Sequence, residues 1–135
     1  MYDYHFPYRL WYGVWSPFVT VRLLYNKASA TADAYVDSGA RYSLFGPVVA
    51  ASLGMTITSG RPQRVRLADG RSIVIYLHRL GFRLGGEHFT ATIGFSEELG
   101  IGFNLLGRFS IFDRLMFCFN DHARVLYVNR IEGEP

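Results

Sequence analysis

Apolar and polar positions alternate through most of the chain, in short stretches rich in β-branched and aromatic residues and bounded by Gly, Asp or Asn. FVTVRLLYN (18–26), ADAYVDSG (33–40), QRVRL (63–67), RSIVIYLHRL (71–80), GFRLGG (81–86) and HFTATIGF (88–95) carry this pattern. A period of two puts every second side chain on one face of a sheet, so these segments read as strands. MFCFN and RVLYVNRI read as a closing hairpin turning around Asn120 to Ala123. Two segments carry helical signals. GPVVAASLG has Pro47 at a first helical position and Gly54 as a stop, and RFSIFDRL (108–115) spaces Phe109, Phe112 and Leu115 along one stripe. Many short strands with two short helices predict a small, closed, barrel-like all-β domain.

Turn chemistry sharpens two hairpins. In RVRLADGRSIVIY the Asp69-Gly70 pair suits a two-residue turn, both of whose central positions favour left-handed backbone. That register places Val65, Leu67, Ser72, Val74 and Tyr76 on one face and Arg64, Arg66, Arg71, Ile73 and Ile75 on the other. A long hairpin with a basic face is an exposed arm or a lid, and the shared face of Arg64, Arg66 and Arg71 predicts a preference for acidic substrates. The second hairpin, FRLGGEHFTAT, turns around Gly85-Gly86.

With 135 residues, half of them hydrophobic, 16% aromatic and only 19% charged, the chain has the composition of one globular domain over 1–135, with an aromatic N-terminal segment over 1–17. No apolar run approaches the length of a membrane span, and MYDYHFPYRLWYGVWSPF lacks the uninterrupted apolar centre of a signal peptide, so no membrane partner and a cytoplasmic location are the expectations. The formal charge is +3, and of the 14 basic residues only Lys27 is a lysine; they are too scattered to predict a nucleic-acid footprint. Cys118 is the single cysteine, and its neighbours in LMFCF read as the surroundings of an inert core thiol. His5, His78, His88 and His122 show no metal-ligand spacing to one another or to Cys118, so neither metal nor cofactor is implied. Trp11 and Trp15 read as packing over one end of the barrel.

Within AYVDSGARYSLF, Asp37-Ser38-Gly39-Ala40 interrupts an apolar run. Carrying a carboxylate toward a core is costly unless it is neutralised, hydrogen-bonded or put to use. One use is hydrolysis: an ionised carboxylate activates water as a general base while a second, protonated one polarises a carbonyl, with no metal and no covalent intermediate. Ser38 offers a hydroxyl to brace the turn, and Gly39 lets the chain approach the carboxylate closely. A strand-ending turn with an Asx-type bond uses the same tripeptide. Ser38 has no His marked as its base, which disfavours a serine hydrolase.

The order of Asp37-Ser38-Gly39-Ala40, a hairpin tipped by Asp69-Gly70, then Asn104-Leu105-Leu106-Gly107-Arg108, then a short helix and a last strand, resembles the retropepsins, single-domain retroviral-type aspartic proteases, over roughly Phe18 to Val128. The resemblance implies Asp37 as the catalytic residue, braced by Ser38, Gly39 and Ala40. It implies a mobile flap over the substrate, with Leu67, Ala68, Asp69 and Gly70 at its tip. Leu105, Leu106, Gly107 and Arg108 would pack beneath the active-site loop. Arg41 stands where many retroviral members carry an Asp that pairs with the later Arg, so Arg108 must find another partner. One chain offers one such carboxylate, since Asp3, Asp33, Asp69, Asp113 and Asp121 lack the Ser-Gly context. A symmetric homodimer acting on peptide or protein substrates follows as an expectation, with the strands around Val19 to Leu24 and Val125 to Val128 as candidate edges for the interface. The rival reading is a binding or assembly module that keeps the fold without hydrolysis.

Overall fold

The computed structural model describes residues 1–98 and 102–132. Strands dominate: β1 (Tyr4–Pro7), β2 (Arg9–Trp11), β3 (Val14–Ser16), β4 (Phe18–Tyr25), β5 (Ala28–Val36), β6 (Leu44–Phe45), β7 (Arg61–Arg66), β8 (Ser72–Leu84), β9 (Glu87–Phe95), β10 (Asn104–Leu106), β11 (Leu115–Asn120) and β12 (Val125–Arg130). A short helix, α1 (Pro47–Ser52), and a 3-10 turn, Ile57–Ser59, lie between β6 and β7. The fold is all-β. No helix among the described residues is long and apolar enough to cross a membrane.

The largest sheet runs β4-β5-β10-β6-β9-β8-β7, and a further pairing of β4 with β8 closes it into a ring. Alternation along the strands fills that ring: Val19, Leu23, Phe45, Phe82, Phe95, Ile93 and Leu106 are each fully buried. Each such side chain contributes roughly 1.5–3 kcal/mol by leaving water, which offsets the chain entropy lost in ordering short strands. A smaller sheet, β1-β12-β11, packs Leu126 and Val128 onto the same core, and β2-β3 form a separate hairpin.

Several expectations need correction. The two segments predicted over 71–80 and 81–86 are one strand, β8 (Ser72–Leu84), which pairs with β9 without a break from Tyr76 to Leu84; at Gly81 β4 passes close, the Leu24 Cβ lying 3.2 Å from where a Cβ would stand. The predicted helix over 108–115 is instead a series of tight turns. Ser110 takes a left-handed φ of 61°, which breaks helical continuity, although Ile111 and Leu115 still reach the core. The N-terminal segment is not merely packing, since β1 joins the sheet beside β12. Of the two proposed interface strands, β12 is not a free edge, since it lies between β1 and β11, while β4 pairs with β5 along its length and with β8 only over Arg22–Leu24. Trp11 packs on Phe18 and Phe103 at 5.6 and 5.7 Å, but Trp15 is 43% exposed, with Arg124 over its ring. Cys118 is half-buried, its sulfur 3.7 Å from the Tyr2 hydroxyl, rather than in the core.

Candidate active site

Asp37 follows the last residue of β5, where the chain leaves the ring. The loop it begins is held from below by β10, which pairs in parallel with β5 and places Leu106 opposite Val36. The Asp37 N–H donates to the Leu106 carbonyl at 3.0 Å, Arg108 N–H to the Ala40 carbonyl at 2.9 Å, and Phe109 N–H to the Arg41 carbonyl at 2.7 Å. Two chain segments distant in sequence are thus laced through their backbones, so side chains can vary without loosening the loop.

Gly107 sits where these segments come closest. A Cβ there would collide with the carbonyl group of Tyr42 and lie 2.9 Å from the Ala40 oxygen. Its buried N–H donates to the Ser43 hydroxyl at 3.0 Å. Ser43 is fully buried and belongs to no motif evident in the sequence. Ser43→Ala is expected to leave that N–H without a partner and to cost about 1–3 kcal/mol in stability, read as a lowered midpoint in urea unfolding at unchanged slope.

Asp37 as a residue is half-buried. Its Oδ1 accepts the Gly39 N–H at 2.8 Å, an Asx-type closure, while Ala40 N–H donates to the Asp37 carbonyl at 3.2 Å. A side chain at Gly39 would put its Cβ 3.2 Å from Oδ1, a tight approach to the carboxylate. Among the described residues the Ser38 hydroxyl makes no hydrogen bond. The brace comes from its backbone carbonyl, which accepts from Arg108 Nη1 at 3.2 Å. Arg108 therefore has a partner other than a carboxylate, and its guanidinium also lies over Phe112. Arg41 turns away onto Tyr42 and Phe109.

Two of the cavities that border this loop lie toward the β7–β8 hairpin and toward Tyr8. One, of about 390 Å³, lies between Gly39–Tyr42 and the β7–β8 hairpin, with Leu44, Val65, Leu67, Ile75 and Leu105 on its walls. The other, of about 510 Å³, has Asp37 and Ser38 on one side and Tyr8, Trp15, Phe119, Asp121 and Arg124 on the others. The Tyr8 hydroxyl donates to Asp121 at 2.7 Å; burial first, and then that carboxylate, hold the phenol well above its ordinary range.

The hairpin register differs from the predicted one. Arg64 pairs with Val74, Val65 with Ile73 and Arg66 with Ser72, and the Leu67 N–H bonds the Arg71 carbonyl. The connection is a three-residue loop, Ala68 to Gly70, in which Gly70 takes the left-handed φ of 89°. Asp69 caps it, accepting from the Arg71 backbone and side chain; those two bonds, in that order, hold its carboxyl below the ordinary range. One residue of slip exchanges faces across a hairpin. Val65, Leu67, Ile73 and Ile75 consequently share a face with Arg71, while Arg64 and Arg66 share the other with Val74. The basic face predicted from Arg64, Arg66 and Arg71 together does not exist, and the preference for acidic substrates loses that support. Leu67 lines the cavity beneath the hairpin, whereas Ala68, Asp69 and Gly70 are exposed at its tip.

Among the described residues, no three His, Cys, Asp or Glu side chains gather as a metal site requires. The remaining described aspartates are engaged elsewhere or exposed: Asp3 accepts the Arg130 N–H, Asp33 pairs with Arg9 at 2.6 Å, and Asp113 lies at the surface. Among known families, one described as aspartyl protease matches residues 19–96, a span that holds Asp37 to Ala40 and the hairpin but ends before Leu105–Arg108. No curated protein matches the chain.

Proposed function

Because the chain belongs to the aspartyl protease family, of the retropepsin-like clan, we propose that it is an endopeptidase that works as a symmetric homodimer, with water activated between two Asp37 carboxylates, one from each chain. The observation that carries this reading is the setting of Asp37. Its carboxylate stands at the end of a strand, on a loop clamped by Leu106, Gly107 and Arg108, between an apolar cleft under a hairpin and an open cavity. Such a clamp holds a reacting group in place without contacts to its oxygens, and catalysis gains from that kind of fixed position.

In this mechanism two close carboxylates share one proton, because both cannot ionise side by side. The ionised Asp37 removes a proton from water as the water oxygen attacks the peptide carbonyl carbon. The protonated Asp37 of the other chain donates to the carbonyl oxygen as negative charge develops there. Collapse of the tetrahedral intermediate breaks the C–N bond: the proton taken from water passes to the leaving nitrogen, and a hydroxyl of the intermediate returns its proton to the carboxylate that had donated one, which restores the singly protonated pair. The substrate lies extended between the loop and the β7–β8 flap, its backbone bonding like an added strand and its side chains meeting the apolar face of Val65, Leu67 and Ile75.

The second copy fits on the side of the 510 Å³ cavity. Apolar side chains lie open there and on the adjoining β2–β3 hairpin: Leu10 is 58% exposed, Val14 63%, Trp15 43% and Phe119 40%. Exposed apolar groups at this density favour burial against another surface. Sedimentation velocity over a dilution series is expected to show a dimer whose dissociation parallels the loss of peptide cleavage. A chain that stays monomeric at high concentration and still cleaves peptides contradicts the shared site.

A further inference from the structure

The geometry points to a second recognition site beside the cleft, in which Arg41 and Arg108 bind an acidic side chain of the substrate; this rests on the protease reading above. Both arginines line a cavity of about 500 Å³, together with Gly39, Phe109, Ser110 and Asp113. Gly39 and Arg41 also line the cavity under the flap, so an extended peptide passing out over Gly39 enters this groove. Neither arginine belongs to any of the ion pairs among the described residues.

Aromatic rings hold both groups from one side. The Arg41 guanidinium carbon lies 5.4 Å from the centre of the Tyr42 ring and 5.9 Å from that of Phe109, and the Arg108 carbon lies 5.6 Å from Phe112. Stacking restrains a guanidinium while leaving its N–H edge open, and a planar fork of donors matches a carboxylate better than any neutral acceptor. Arg108 spends one donor on the Ser38 carbonyl and keeps the others. Among the described residues, two arginines and one exposed acid, Asp113, line the groove, which gives it a net attraction for an anion, and no described acidic residue lines the adjoining flap cavity. Arg41 is thus a specificity residue, its cation at the rim of both cavities favouring an acidic side chain in the substrate.

The test uses the intact protein and end-blocked peptides in which Glu replaces Gln at one position at a time along a cleaved sequence. At one or more positions on one side of the scissile bond, Glu is expected to raise kcat/KM over Gln by roughly three- to tenfold, between the values for an exposed ion pair and a charge-assisted hydrogen bond. The ratio should shrink as salt rises. It should fall to about one in Arg41→Gln, drop below one in Arg41→Glu and be partly kept in Arg41→Lys, an order that a purely structural role would not produce. Equal cleavage of Glu and Gln peptides at every position, or a preference unchanged in Arg41→Gln, overturns the proposal. Binding of fluorescently labelled peptide pairs to the Asp37→Asn protein reads the same preference without catalysis. If no peptide is cleaved, the protease reading fails while this arm still decides the subsite: tighter binding of the Glu peptide that Arg41→Gln abolishes supports it, and equal binding sinks it.

Discussion

Asp37→Asn is expected to reduce kcat on any cleaved peptide by roughly 10²- to 10⁴-fold, the range that a positioned general acid–base group supplies. Asparagine matches the carboxylate in shape, and its amide oxygen can still accept the Gly39 N–H that Asp37 Oδ1 accepts at 2.8 Å. The loop, also tied by the Asp37 N–H to Leu106 and by Arg108 to Ala40, should therefore keep its form. What is lost is the capacity to take and return a proton. Cleavage of a peptide mixture at mildly acidic pH, with melting temperature measured alongside, separates chemistry from folding. Parent and variant cleaving equally would remove the enzyme reading and favour a binding module of the same shape.

Gly107→Ala should be the most damaging single change to the fold near the site, at about 3 kcal/mol or more. For a chain of this length that is on the order of 10 °C in melting temperature. The added methyl meets backbone rather than a flexible side chain, the carbonyls of Tyr42 and Ala40, and neither can move freely. The Ala40 oxygen already accepts the Arg108 N–H, and Tyr42 is flanked by Arg41, which bonds Phe109, and Ser43, which bonds Gly107. Relief of the clash therefore loosens several bonds of the clamp together, and peptide cleavage should fall along with stability. Thermal unfolding followed by circular dichroism checks the first effect; a melting temperature within about 2 °C of the parent would show that the two segments are not packed as described.

Much of this arrangement was legible because it lies in local pattern. Alternation marked β4, β8 and β9, and a carboxylate breaking an apolar run marked Asp37, since a charge at that place needs a reason. Gly107 could be singled out through its motif, but its cause, the approach of Tyr42, belongs to the tertiary structure. Where the reading failed, a local rule met a competing one. Asp69-Gly70 satisfies a two-residue turn, yet Asp69 capping Arg71 with Gly70 at the third loop position satisfies a longer one, and that choice reverses which side chains face the cleft. Phe109, Phe112 and Leu115 have helical spacing, but the left-handed backbone at Ser110 leaves separate turns. β10 is too short to show a period, and it becomes a strand only because β5 and β6 lie on either side. The groove of Arg41 and Arg108 joins residues far apart in the chain, and only the fold shows that neither has a carboxylate partner among the described residues.

The measurement that bears most directly on the shared site is the activity of mixtures of parent and Asp37→Asn chains, exchanged to equilibrium at constant total concentration. If each site needs one carboxylate from each of two chains, activity follows the square of the parent fraction, and an equal mixture retains about a quarter of the parent rate. A linear decline, with about half the rate in that mixture, would mean that each chain works alone and would contradict the two-chain site.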